Sequence, residues 1–432
     1  MTVSFMPVRS SLKDLEKIQL QGLQWTVQHA YHHSPFYRQR LDAAGVTPDQ
    51  IRTLDDLRRL PFTTAADLQE GYPFPLRAVP FEKIVRIHAS SGTTGKRKVL
   101  CYTQKDIDDW AMMFARCFEM AGLTREDRVQ IAVGYGLWTA GVGFQLGCER
   151  FGAMAVPVGP ANTEIHCQML VDLQSTVFCA TASMALLMAE EIERRRLRDR
   201  IALKKIIFGA ERHSRSMRRR IQTITGVEHM FDIPGLTELY GPGTGLECTA
   251  HQGIHYWADY YILEILNPET LEPVPPGELG EMVVTTLRKE ASPLIRYRTR
   301  DLTRLLPEPC PCGNPLPRHD HLLGRSDDMF IFRAVNIYPG QIDHVLSQIE
   351  GVGSEYQVHL HHREDGRDVM ILKVERAQGR PVELDEALKE IIAAEIRRQI
   401  LVRCNVEVLD YGTLPRTERK SKRVFDHRIK DD

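Results

Sequence analysis

Residues His88 to Thr103 read HASSGTTGKRKVLCYT, a segment that crowds hydroxyl side chains, two glycines and the lysines Lys96 and Lys98 together. Ser90, Ser91, Thr93 and Thr94 offer hydroxyl donors, Gly92 and Gly95 let backbone N–H groups turn inward, and Lys96 adds positive charge. Together these suit a phosphate. The spacing is not that of a Walker A loop, which has four residues between its glycines and a Ser or Thr after the lysine. Here two residues separate the glycines, and Arg97 follows Lys96. The flanks KIVRIH (Lys83 to His88) and KVLCYT (Lys98 to Thr103) read as short strands, so the loop joins strand to strand where a Walker loop opens a helix. A polar hairpin turn is the plain alternative.

Downstream, β-rich runs alternate with helical stretches: VQIAVG (Val129 to Gly134), AMAVPV (Ala153 to Val158), TVFCAT (Thr176 to Thr181) and KKIIFGA (Lys204 to Ala210), with helices expected over Asp106 to Gly122 and Ser183 to Arg198. That alternation implies a mainly parallel sheet with sites at the strand C-termini. Upstream, Leu12, Leu15, Ile18, Leu20 and Leu23 have helical spacing, and Pro-punctuated loops follow. Pro268 to Thr286 reads as turn-separated antiparallel strands. A boundary falls near LGRSDDMFIF (Leu323 to Phe332). Beyond it come a strand, a helix opening at Pro339, a hairpin turning at Glu364 to Gly366, a helix from about Leu384 to Leu401 and the strand CNVEVL, a β-α-β-β-α-β order. The end of the chain is basic and polar and is expected to be mobile. The fold class is therefore α/β, with a large N-terminal domain over residues 1–324 and a small α+β domain over 325–432.

A chain of 432 residues can bury a large core and form two or three domains. Lys and Arg number 56 against 57 Asp and Glu, which leaves no net field to attract nucleic acid or an anionic membrane. The one basic run, ERHSRSMRRR (Glu211 to Arg220), spreads its charges round a solvated helix. No apolar run approaches the ~20 residues that span a bilayer, and the N-terminus lacks a signal-peptide core, so the expected place is the cytoplasm. A homodimer is compatible with the sequence. Cys101, Cys117, Cys148, Cys167, Cys179 and Cys404 sit in apolar segments, as buried thiols do. Cys310 and Cys312 in PCPCG differ. With Cys248, His251 and His255 they supply thiolate and imidazole in metal-binding proportions, although Cys-x-Cys is tighter than the usual zinc spacing. Unmetallated surface cysteines are the alternative.

Five ordered segments together resemble the phenylacetate–coenzyme A ligases, a branch of the acyl-adenylate-forming enzymes. SSGTTGK is similar to that superfamily's phosphate loop. DIPGLTELYGPG (Asp232 to Gly243) is similar to the segment that holds adenine and ends in an acidic metal ligand. RYRTRD (Arg296 to Asp301) resembles the ribose-binding motif, GRSDDMFIFRAVNIYP (Gly324 to Pro339) the interdomain hinge, and LPRTERKSKRV (Leu414 to Val424) the catalytic-lysine segment. The resemblance implies ATP, Mg²⁺ and coenzyme A as cofactors or co-substrates and a small carboxylic acid as substrate. It implies Ser90 to Lys96 on the β- and γ-phosphates, Thr237 on the α-phosphate, Glu238 on Mg²⁺ and Asp301 on the ribose hydroxyls. Arg325 lies near ribose or phosphate, Asp327 is the hinge, and Lys420 is the catalytic lysine, with Lys422 close enough to be mistaken for it. Gly209, Ala210, Glu211, Asp232, Ile233, Pro234 and Gly235 fall in nucleotide- or acyl-binding segments, and Tyr135 and Trp138 in a segment lining an aryl pocket. Plain core packing is the alternative for the aromatics, and a surface ion pair with Arg296, Arg298 or Arg300 for Asp301. The family pattern favours Cys248, His255, Cys310 and Cys312 over His251, a closed set suited to structural Zn²⁺.

Three positions depart from that pattern. Pro234 replaces an aromatic residue and brings no π-face. Ala334 stands where Gly is usual in the hinge, and Arg97 where Pro is usual beside the phosphate loop. These keep two further functions in play: an adenylating enzyme whose acceptor is an amine, a carrier thiol or another cofactor, and a nucleotide-binding protein that has lost catalysis.

Overall fold

The computed structural model describes residues 4–7, 12–90, 96–210, 213, 215–333, 335–362, 368–415 and 423–428. It divides into two compact units. The first comprises Met1–Thr181, Asp199–Ala210 and Val227–His321; the second comprises Ala182–Arg198, Glu211–Gly226 and Leu322–Asp432.

In the first unit the N-terminal leucine stripe forms helix α1 (Leu12–His33), followed by α2 (Pro35–Ala43) and the short α3 (Ala65–Glu70). Strands β1 (Arg86–Ala89) and β2 (Val99–Tyr102) form an antiparallel pair, so the loop between them does join strand to strand. Helix α4 (Gln104–Met120) starts at a capping box: Asp106 N–H donates to Thr103 Oγ1 (3.2 Å) and Thr103 N–H to Asp106 Oδ2 (3.0 Å). The expected parallel sheet is present as β3 (Arg128–Ile131), β4 (Met154–Val156), β5 (Val177–Thr181), β6 (Lys205–Gly209) and β7 (His229–Ile233), in the order β4-β3-β5-β6-β7. Helices α5 (Ala140–Phe151) and α6 (Thr163–Asp172) lie between its strands in sequence. The central strands are buried almost throughout, which is why they read as apolar runs without alternation.

Small antiparallel pieces complete this unit. β8 (Gly235–Leu236) pairs with β9 (Gly241–Pro242). β10 (Gly245–Glu247) and β11 (Ile254–Tyr256) share a sheet with β15 (Leu305–Leu306) and β16 (Arg318–His319), and β13 (Gly280–Thr286) runs between β12 (Tyr261–Leu266) and β14 (Tyr297–Thr303). The core is rich in fully buried aromatics, among them Trp110, Phe114, Phe118, Trp257 and Tyr297.

The second unit contains two helices from the middle of the chain, α7 (Ala182–Arg194) and α8 (Arg215–Thr225). Arg220 of α8 lies over the Tyr411 ring at 5.3 Å. The C-terminal part begins with β17 (Gly324–Arg325) and a hairpin of β18 (Phe330–Phe332) with β19 (Val335–Ile337), not a single strand. Helix α9 (Pro339–Ser347) opens on its expected proline. Strands β20 (Val352–His362) and β21 (Asp368–Arg376), helix α10 (Asp385–Ile400) and β22 (Asn405–Leu409) follow. The turn at Glu364 to Gly366 lies outside the described residues. The expected mobile end needs correction: Val424–Asp426 forms a strand, β23, parallel to β20, which closes the sheet β22-β21-β20-β23 and packs Val424 against the core. Leu360, Leu372, Leu388 and Ile392 are among the core residues between sheet and helices. Among the described residues no helix is long and apolar enough to cross a membrane.

Candidate active site

The neck of the phosphate-loop candidate is closed by two hydrogen bonds between Ser90 and Lys98. Ser90 N–H donates to the Lys98 carbonyl (3.0 Å), and Lys98 N–H donates to Ser90 Oγ (3.3 Å). Ser91, Gly92, Thr93, Thr94 and Gly95 lie outside the described residues, as do Glu211, Ala334, Lys420 and Lys422. Lys96 is exposed, its ammonium 5.8 Å from the Tyr72 ring centre.

Lys98 meets the buried Glu238 carboxylate as an ion pair. The Tyr297 hydroxyl donates to the same oxygen at 2.9 Å. Burial pushes the Glu238 carboxyl up, but the charge and hydrogen bond of Lys98, with further hydrogen bonds, outweigh it and hold the group below its ordinary value. Lys289, fully buried, donates to the Glu238 main-chain carbonyl at 2.8 Å and lies 4.8 and 4.9 Å from the Tyr102 and Tyr240 ring centres. Burial lowers the Lys289 pKa to about 8, against the opposing pull of Asp106 and Glu238. Asp106, besides capping α4, accepts the N–H groups of Glu290 (2.7 Å) and Ala291 (2.9 Å), which fixes the segment carrying Lys289. Thr237 is fixed from behind: its carbonyl and that of Tyr240 lie 3.2 and 3.0 Å from the Tyr102 hydroxyl.

The ends of β6 and β7 bring the other named residues together. Gly209 pairs with Ile233, and a Cβ on Gly209 would stand 2.2 Å from the Ile233 carbonyl oxygen. Ala210 follows at φ +66°, a left-handed conformation that costs a non-glycine residue about 1 kcal/mol. Asp232 is anchored twice. Its N–H donates to Glu247 Oε2 (2.9 Å), and its carboxylate lies 2.9 Å from His321 Nδ1, while His321 Nε2 lies 3.5 Å from Glu247 Oε1. Pro234 and Gly235 continue from β7 into β8, Pro234 half-buried.

Asp301 lies on β14, four residues beyond Tyr297, and its N–H donates to Thr299 Oγ1 at 3.0 Å. The neighbouring arginines are engaged by other carboxylates: Arg296 by Glu264 (2.9 Å), Arg298 by Glu281 (2.8 Å) and Arg300 also by Glu281 (3.5 Å). Tyr135 is half-buried, and its hydroxyl finds no partner among the described residues. Trp138 is 41% exposed, with Arg97 over its ring at 5.8 Å. In the second unit Arg325 and Asp327 hold each other, Nε to Oδ1 and a terminal nitrogen to Oδ2, both at 2.8 Å.

Cys248, His255, Cys310 and Cys312 place one ligand atom each within 4.8 Å of the others. His255 Nδ1 lies 2.9 Å from the Leu316 carbonyl, which takes its N–H and leaves Nε2 bare, 3.4 Å from Cys312 Sγ. His251 lies apart, 3.4 Å from Glu247.

Known proteins resemble this chain along most of its length. Residues 28–287 match the family of AMP-binding enzymes, and residues 334–428 the AMP-binding enzyme C-terminal domain. Phenylacetate-coenzyme A ligase of Escherichia coli K12 is 41% identical over 425 residues, covering 97% of this chain and 96% of the relative. The enzyme of the same name from Pseudomonas putida is 41% identical over 427 residues, with the same coverage. The chain belongs to the phenylacetate–coenzyme A ligase family. Its fold also matches a crystal structure of 2-hydroxyisobutyryl-CoA ligase in the postadenylation state with R3-HIB-AMP (TM-score 0.86, 28% identity, 96% of this chain and 90% of the other). Membership carries the reaction class: ATP-dependent activation of a carboxylic acid and its transfer to coenzyme A. In this phenylacetate–CoA ligase family member, sequence reasoning assigned no role to Lys98, Asp106, Glu247, Lys289, Tyr297 or His321. Lys98 and Tyr297 had a signal, their places in the phosphate-loop stretch and in RYRTRD; the others come together through contacts remote in sequence.

Proposed function

We propose that this ligase activates an aryl carboxylic acid of the phenylacetate type as its acyl-adenylate and passes the acyl group to coenzyme A. What supports the reading most directly is the Glu238 carboxylate, buried yet ionised, paired to the lysine at the neck of the phosphate loop. The named function of the relatives gives the acid. In the first half-reaction a carboxylate oxygen of the acid attacks the α-phosphorus of ATP and pyrophosphate leaves. In the second, the thiol sulfur of coenzyme A attacks the acyl carbonyl, and AMP leaves with the electron pair of the broken C–O bond.

The residues divide the work. Ser90 to Lys96 take the β- and γ-phosphates, Thr237 the α-phosphate and Asp301 the ribose hydroxyls. The end of β7, from Asp232, takes the adenine, and the end of β6, from Gly209, borders the acyl group. Glu238 offers the hard carboxylate oxygen that suits Mg²⁺, which when bound sets positive charge against the phosphate oxygens. Tyr135 and Trp138 face the acid, and the Tyr135 hydroxyl is a buried group that a ligand can satisfy. Lys420, in the small C-terminal domain beyond about residue 325, stabilises charge as the carboxylate attacks. The donor set Cys248, His255, Cys310 and Cys312 fits a structural Zn²⁺, with four N/S ligands and an oriented imidazole. The free cysteines suit a reducing compartment, the cytoplasm.

Pyrophosphate release is the test, measured over a panel of carboxylic acids with and without coenzyme A. Phenylacetate-like acids are expected to turn over fastest and to yield acyl-CoA. Faster turnover of a medium-chain fatty acid would overturn the acid assignment, and release with no acyl-CoA formed would overturn the acceptor.

A further inference from the structure

One cluster of ligating side chains stands outside the ligase machinery, on the small C-terminal sheet. Alternate residues of a strand share a face, so His359 and His361 of β20 point the same way, opposite to the buried Val358 and Leu360. β23 pairs in parallel with β20, His359 opposite Phe425 and Leu360 opposite Asp426. His427 N–H then donates to the Leu360 carbonyl (2.9 Å), which extends the register and sets His427 beside His361. The rings of His361 and His427 stack at 4.4 Å, and those of His359 and His427 at 5.4 Å. One ring nitrogen from each histidine lies within 4.8 Å of the others.

The hydrogen bonds prepare one lone pair. His359 Nε2 lies 3.1 Å from Gln357 Oε1, an oxygen that only accepts, so His359 carries its proton on Nε2. Its Nδ1 lone pair is left facing His427 Nε2 at 3.1 Å. An outer partner that fixes the tautomer in this way is usual behind a metal-ligating histidine.

We propose that His359, His361 and His427 form an open transition-metal site that takes one Zn²⁺, Ni²⁺, Co²⁺ or Cu²⁺, with water completing the shell. Imidazole donors suit these ions and not Mg²⁺. Exposure of His427 makes the site exchangeable, unlike the closed cysteine set. An ion there ties β23, the strand that follows the Lys420 segment, to the middle of the small sheet.

The test is Co²⁺ added to the full-length protein, with bound equivalents counted by equilibrium dialysis and the absorption spectrum recorded. Thiolate ligation produces an intense charge-transfer band, and imidazole–water ligation does not. His361→Asn and His427→Asn should each bind one equivalent fewer than the wild type with the band unchanged, and Gln357→Leu should weaken that equivalent by about tenfold. Uptake should weaken as the pH falls, because protons compete for the imidazoles. Equal equivalents in the wild type and both histidine variants, or loss of the band together with the missing equivalent, would overturn the site.

Discussion

Two ion pairs in this chain are alike in chemistry and opposite in setting. Lys98–Glu238 lies in the first unit, with the carboxylate side chain 3% exposed; Arg325–Asp327 lies in the second, with its carboxylate 49% exposed. Around Glu238 every charge leans on another: Lys98 on the carboxylate, Lys289 on the carbonyl of the same residue, Asp106 on the segment that carries Lys289. Around Asp327 water supplies most of what the partner would. A charge is therefore costly to orphan in the first setting and nearly free in the second. The site has been built where the chain can least tolerate a missing partner.

The largest effect tests whether the contrast extends to Lys420. A lysine that spent the reaction in water would contribute little. As the group facing the α-phosphate, its loss in Lys420→Ala should slow adenylation by about 10²- to 10³-fold. Thioester formation from supplied acyl-adenylate should survive, since the small domain is expected to pivot near Asp327 and carry Lys420 away. Half-reaction assays decide it, with Lys422→Ala as control; equal losses in both halves would end the idea.

Glu238→Gln should cost about 3 kcal/mol of unfolding free energy, the lower end for breaking a buried pair because Lys98 keeps some contact with water. A loss below about 1 kcal/mol in denaturant titration would place this pair in the exposed class. Lys289 gives the same contrast a pH axis. Its folded pKa of about 8 lies below the ordinary 10.5, so between those values the unfolded chain holds more protons and stability rises with pH. The rise should approach about 3 kcal/mol relative to Lys289→Met. A flat difference between the two unfolding profiles from pH 7 to 10.5 would show that Lys289 is not charged at a cost.

The zinc candidate is the next step down. About one zinc per chain is expected from elemental analysis, and Cys312→Ser should lower the melting temperature by several degrees while reducing turnover at a permissive temperature much less. Protein purified without chelator and free of zinc would remove the metal. Smallest of all, Asp327→Asn should change stability by about 0.2–1 kcal/mol. A change above about 2 kcal/mol would mean that solvent does not screen the hinge pair.

The sequence carried what is local. β-Branched runs between helical stretches gave the parallel sheet, hydroxyls and glycines between two strands gave the loop, and the proline that opens α9 gave its start. It did not carry what is built from distant contacts. Glu238 was singled out by motif, but nothing in RKEAS marks Lys289 as the cation behind it, because burial is a property of the closed core. The grouping of α7 and α8 with the C-terminal strands was equally invisible, since an amphipathic helix looks alike wherever it packs. The strand after Lys420 was missed because a basic tail hid three residues that pair with β20. The four-residue cysteine and histidine set was within reach, through the rarity of thiols in Pro/Gly-rich loops.

The close approach of β6 and β7 also bears on redesign of the acid specificity. At Gly209 any added methyl group meets main chain, the Ile233 carbonyl, which no rotamer can relieve. At Gly134 the same methyl meets only the Trp138 ring, at 3.3 Å, and that ring is already partly in water. A library that varies the wall near Tyr135 should therefore leave the strand end untouched and begin at Gly134, where the displaced neighbour has somewhere to go.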